Sequence, residues 1–170
     1  MPWTLWESFR FEQLCSGNPF SSAKCWEIIK SRVNTKGATE LFSIDELGGR
    51  LAEEVEDVIH SYFEIRNISK ISFIGFSLGG LIIWAALSKL HKFRHLFYGY
   101  TSIASPHLGL KYSQKLISAA LTLMNVVKEV QTIKELRLHD SSKIEESYLY
   151  HLSEQEGLNW FSHVFLLSSD

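Results

Sequence analysis

Residues 70–87 read Lys-Ile-Ser-Phe-Ile-Gly-Phe-Ser-Leu-Gly-Gly-Leu-Ile-Ile-Trp-Ala-Ala-Leu, and this stretch decides the fold. The apolar run Ile71–Ile74 predicts a buried strand. It breaks at Gly75-Phe76-Ser77-Leu78-Gly79, the Gly-x-Ser-x-Gly pattern of a nucleophile elbow. The apolar, Ala-containing run Leu81–Leu90 then predicts a helix. A sharp strand-to-helix turn lifts a serine Oγ above the sheet edge, and the helix N-terminus behind it favours developing negative charge. Gly75 and Gly79 are expected to leave room for the turn and for close strand–helix packing. The competing reading is an ordinary βα turn with a buried serine. The strand before the motif and the helix after it favour the elbow.

The remaining sequence fits one α/β domain. A helix is expected over about 44–62, capped by Ser43, with Glu46 three residues on as a capping box. Its apolar face is read from Ile44, Leu47, Leu51, Val55, Val58 and Tyr62, at spacings of three and four. Further strands are expected over 26–30, 96–103 and 161–167. Helices are expected over 112–127, 128–137 and 145–152. Alternating strands and helices predict a mostly parallel sheet, three-layered, with helices on both faces and the strands near Ile71, Phe97 and Val164 adjacent in that order. Residues 1–25 form an irregular leader in this reading, and 26–170 the domain. Trp3 and Trp6 fit a lipid-contacting lid, a cover for a sheet edge or an unstructured leader equally well.

Composition narrows the function classes. The chain has 170 residues, 45% of them hydrophobic and 21% charged, as in a soluble globular protein. A formal net charge of -2 gives no basic field for nucleic acid. No apolar run is long enough to span a membrane, and the N-terminus does not read as a secretory signal. Cys15 and Cys25 then read as free thiols, and the expected location is intracellular, in the cytoplasm. The acidic run Glu53, Glu54, Glu56 and Asp57 reads as a solvated helix face. No histidine pair has metal-ligand spacing with a supporting carboxylate, so neither metal nor cofactor is expected.

The capping segment 43–55, the elbow block 71–83, Ser105-Pro106-His107-Leu108-Gly109 and the closing block 157–169 together resemble the lipase-like serine esterases of eukaryotes, a branch of the α/β-hydrolase superfamily. The resemblance covers about 28–169. It implies Ser77 as nucleophile, the backbone N–H of Leu78 as oxyanion donor and a lipid or small ester as substrate. In that family the residue before the serine is usually His and here is Phe76, and the position of Trp84 is often Arg. The family's His-Gly loop, which supplies a second oxyanion donor, has no counterpart, since no His-Gly pair occurs. Its catalytic Asp lies just after the last strand, with the catalytic His beyond, and here the sequence stops at Asp170. The resemblance therefore implies a hydrolase domain incomplete at both ends, with little activity of its own.

Among the seven histidines, His107 is the local candidate for a base, because it follows the strand after the elbow, at the edge where open sheets carry their sites. The resemblance makes it a cleft-lining residue instead. His163 starts the last strand, His60 lies on the polar side of its helix, and His91, His95, His139 and His151 flank helix ends. Two other readings remain open: a non-catalytic remnant that binds lipid or protein, and a piece of a larger enzyme. An incomplete sheet also predicts self-association or a covering partner. The elbow strand lacks one neighbour unless residues 1–25 provide it.

Overall fold

The computed structural model describes residues 7–14, 24–34, 42–63, 68–110 and 131–168. Its centre is a five-stranded sheet: β1 (Glu7–Leu14), β2 (Lys24–Lys30), β3 (Ile68–Phe76), β4 (Phe97–Ile103) and β5 (His163–Leu167), in the order β2-β1-β3-β4-β5. β3, β4 and β5 are parallel neighbours in the expected order. β1 runs antiparallel to both β2 and β3.

Within residues 1–25, expected to be irregular, Glu7–Leu14 form β1. Glu7-Ser-Phe-Arg-Phe-Glu-Gln-Leu14 alternates apolar and polar residues around Phe9 and Phe11, which is a strand signal. In register, Phe9 lies opposite Phe73 and Phe11 opposite Ile71. The elbow strand therefore has hydrogen-bonded neighbours on both sides, one of them from the segment expected to be a leader.

The helix α1 spans Ile44–Phe63. Its capping box is formed: the Ser43 N–H donates to Glu46 Oε2 at 2.7 Å, and the Glu46 N–H donates to Ser43 Oγ at 3.2 Å. Ile44, Leu47, Leu51, Val55 and Ile59 are fully buried. Ile59 takes the core position expected of Val58, which is only half-buried. α2 (Leu78–Leu87) follows the elbow strand and is buried at nine of its ten positions. A 3-10 segment, Ser88–Leu96, continues it and buries Leu90, Phe93 and Leu96. α1 crosses α2 at Gly48, where a Cβ would come within 2.7 Å of Ala85 Cβ, so only glycine fits.

The helix expected over 112–127 lies outside the described residues. That expected over 128–137 appears as α3, Gln131–Leu136, with 128–130 outside the description. The one expected over 145–152 is a 3-10 turn, Ile144–Glu146, and then α4, Tyr148–Glu154, capped by Ser147. Phe161 closes the core, 5.0 Å from Phe97 and 5.7 Å from Tyr100 between ring centroids.

The four helices of the described residues share one buried cluster with Ile71, Phe73 and Tyr100 of the sheet. Helices were expected on both faces. Among the described residues they lie on this face, and the opposite face carries the exposed side chains of Ile28, Ile74, Phe76, Phe165 and Leu167.

α3 secures the start of α1. Glu135 is 3% exposed, and its Oε2 accepts the Ile44 N–H at 2.8 Å. The Thr132 hydroxyl donates to the Phe42 carbonyl at 2.7 Å. Burial pushes the Glu135 carboxyl above its ordinary value, partly offset by the Ile44 and Gln131 hydrogen bonds. Glu135→Ala is expected to cost about 1–3 kcal/mol, because it leaves the Ile44 amide buried without an acceptor. Glu135→Gln keeps an acceptor and removes the desolvated charge, so it should stay close to the parent. Urea unfolding of the two variants checks this order.

Candidate active site

β3 ends at Phe76 and α2 begins at Leu78. Ser77 alone forms the turn, at φ 54° and ψ -125°. A non-glycine residue in that region is strained and persists only where its surroundings hold it. Both backbone groups of Ser77 are held: its N–H donates to the Ile103 carbonyl at 2.8 Å, and its carbonyl accepts the Gly80 N–H at 3.3 Å. The residue is half-buried. The Leu78 N–H, expected as an oxyanion donor, belongs to the first residue of α2, among the amides that an α-helix leaves without intrahelical carbonyls.

The glycines that make the turn possible are Gly75 and Gly80. A Cβ on Gly75 would come within 2.5 Å of Gly80 N and 2.7 Å of the Gly79 carbonyl carbon. A Cβ on Gly80 would run into the hydroxyls of Ser102 and Ser105. The motif drew attention to Gly79. The tight contact with β4 is made one residue later, and nothing in a Gly-Gly pair tells which of the two faces a neighbouring strand.

β4 ends at Ile103, and Ala104 turns the chain at φ 52° while its N–H donates to the Leu167 carbonyl at 2.7 Å. The Ser105–Gly109 segment then folds back over α2. The His107 N–H donates to the Ser105 carbonyl at 3.0 Å, and Gly109, at φ 74°, donates to Pro106 at 2.9 Å. His107 does not join Ser77. Its Nε2 lies 2.8 Å from Ser102 Oγ, and its ring stands 5.6 Å from that of Trp84. The other six histidines are described as well, and none hydrogen-bonds Ser77. His163 is on the edge strand against Tyr98, His91 contacts Arg94 and Trp160, and His60 lies near Glu56. Trp84, at a position where the resembling family often has Arg, keeps its indole N–H buried without a partner.

Burial lowers the His107 imidazole below its ordinary value, and no charged group contributes to that shift. Among the described residues, its ring meets Ser102 of β4 and Trp84 of α2, neither of them ionisable near neutrality. The described residues bring no three His, Cys, Asp or Glu side chains together where they could hold a metal ion. They also contain no helix long and apolar enough to cross a membrane.

Gly80→Ala should destabilise the protein by about 1–3 kcal/mol through overpacking against Ser102 and Ser105, read as a lower urea midpoint. His107 gives a pH signature. With its folded pKa lowered, the unfolded chain binds the proton more readily, so stability is full above the ordinary imidazole value of about 6.5. It falls as acidification approaches and passes the lower folded value. Thermal melts of the parent against His107→Gln should show this pH-dependent loss in the parent, with that component absent from the variant.

No solved structure matches the chain significantly. The family model described as "Putative serine esterase (DUF676)" matches residues 20–167, nearly the whole chain, including β3, the Ser77 turn, β4, the His107 segment and β5. The protein belongs to this serine esterase family.

Proposed function

We propose that the protein is a serine hydrolase of carboxylic esters, lipid esters among them, with Ser77 as its nucleophile. The observation that carries this reading is the strained Ser77 between β3 and α2, in a chain of the serine esterase family. In the reaction, Ser77 Oγ attacks the ester carbonyl carbon. The carbonyl oxygen becomes an oxyanion, which the Leu78 N–H would stabilise as a backbone donor. The alcohol leaves with a proton, and water then releases the acid and regenerates the serine. The acid and base of this cycle are not assembled on Ser77 by any of the chain's histidines.

That last observation also favours a second reading, a non-catalytic module of the same fold that binds lipid or a partner protein. A fluorophosphonate probe separates the two. The expected result is slow modification, mapped by mass spectrometry to Ser77 and lost in Ser77→Ala. Turnover of a short activated ester is expected at the residual level left when triad partners are missing, about a thousandfold to ten-thousandfold over water. Modification at another serine, or none, overturns Ser77 as nucleophile. Vesicle binding without modification supports the second reading. Fast turnover that depends on Ser77 would show that a group of this chain serves as base after all.

A further inference from the structure

Tyr100 of β4 is fully buried under the helices, among phenylalanines. Its ring stands 5.7 Å from that of Phe161, against which Phe73 and Phe97 also pack. Phenylalanine would fill such a place with no hydroxyl to satisfy, and a buried hydroxyl is costly unless hydrogen-bonded. The Tyr100 hydroxyl has a specific partner: it donates to the Gly80 carbonyl at 2.9 Å, in the first turn of α2. That carbonyl can take this donor beside the helix's own amide, because its oxygen carries two lone pairs. Burial pushes the phenol above its ordinary value, so the donor keeps its hydrogen.

Gly80 is also the residue that holds the Ser77 carbonyl. Its N–H donates there at 3.3 Å, while the Ser77 N–H donates to the Ile103 carbonyl at 2.8 Å. Both backbone groups of the strained serine therefore lead to β4, one directly at Ile103 and the other through Gly80 to Tyr100. The Ser77 carbonyl lies in the same planar peptide unit as the Leu78 N–H, so whatever turns the carbonyl turns the amide with it. At φ 54° and ψ -125°, Ser77 sits outside the wells that local sterics favour. Its peptide plane is held by these bonds and the packing around them.

We propose that Tyr100 is a positioning residue for the oxyanion donor: by holding the Gly80 carbonyl from β4, it keeps the Gly80 N–H on the Ser77 carbonyl and so aims the Leu78 N–H. Its effect on reactivity rests on the reading of Ser77 as nucleophile. The clamp itself is measurable without that reading.

Hydrogen exchange of backbone amides tests the clamp. In Tyr100→Phe, the Ser77 and Gly80 amides are expected to exchange about tenfold faster than in the parent, the scale of one lost hydrogen bond. That increase should exceed any change in the amides of α1. Equal changes at the two places overturn the clamp. Should Tyr100→Phe fail to fold, the parent's own hydroxyl decides. A slowly exchanging Tyr100 hydroxyl proton with a nuclear Overhauser contact to Gly80 is expected, and its absence overturns the clamp.

Reactivity tests the positioning. Fluorophosphonate modification of Ser77, followed over probe concentration, separates probe binding from bond formation. Tyr100→Phe should slow bond formation about tenfold with little change in the half-saturating concentration, a part of the hundredfold or more that outright loss of an oxyanion donor costs. Glu135→Ala, which destabilises the protein away from the elbow, should leave the bond-forming rate at the parent value. Tyr100→p-aminophenylalanine keeps the ring and a donor, and should restore the rate. An unchanged rate in folded Tyr100→Phe overturns the positioning role. So does an equal loss in Glu135→Ala, or a loss that p-aminophenylalanine fails to reverse. If the parent is not modified at Ser77, the nucleophile reading fails, and the exchange measurement still decides whether the clamp exists.

Discussion

The first turn of α2 lies against β3 and β4 with almost no space between the backbones. Gly75 admits the backbone of Gly79 and Gly80, and Gly80 admits the hydroxyls of Ser102 and Ser105. Interiors pack to the density of organic crystals, so a single methyl at either place would drive the helix off the sheet. The turn at Ser77 depends on this contact. With helix and strand so close, one residue must reverse the chain, and it does so in a region of backbone space that L-residues rarely occupy. The hydrogen bonds to Ile103 and from Gly80 hold it there. The same closeness lets Tyr100 reach the Gly80 carbonyl from the neighbouring strand.

Around that contact the core is layered simply. α1 lies over α2 through its own glycine, Gly48, and α3 lends Glu135 and Thr132 to the start of α1. A helix start with unmet amides is costly when buried. Here the capping box of Ser43 and Glu46 meets part of that need, and a carboxylate 91 residues away along the chain meets another part. The C-terminal third of the described chain is thereby tied to the helix that precedes the elbow, not only to the strand beside it.

The sheet is unevenly covered. Phe73 and Tyr100 are fully buried under the helices, whereas Val164, Phe165, Leu166 and Leu167 of β5 are each at least 41% exposed. Among the described residues β5 is paired to β4 alone. A bare apolar edge of this kind invites pairing with another strand.

The local devices were legible in the sequence. The order strand, Gly-x-Ser-x-Gly, helix placed Ser77 at the turn, because that arrangement is written in consecutive residues. The capping box at Ser43 and the three-and-four spacing of α1 were legible for the same reason, and the alternation of strands with helices gave the parallel order of β3, β4 and β5. What the sequence left undecided depends on contacts between distant segments. Phe9 and Phe11 alternate as a strand should, but only pairing with β3 makes a strand of a segment that short. Periodicity could not choose between Val58 and Ile59, since the placement of α1 on the core decides which one turns inward. Gly79 and Gly80 look alike until β4 approaches one of them. His107 was a candidate base by its place at the end of β4, and the fold gave its Nε2 to Ser102 instead. A hydrogen bond between side chains needs two atoms brought within about 3 Å. Only the path of the chain after Ala104, folding back over α2, sets that distance.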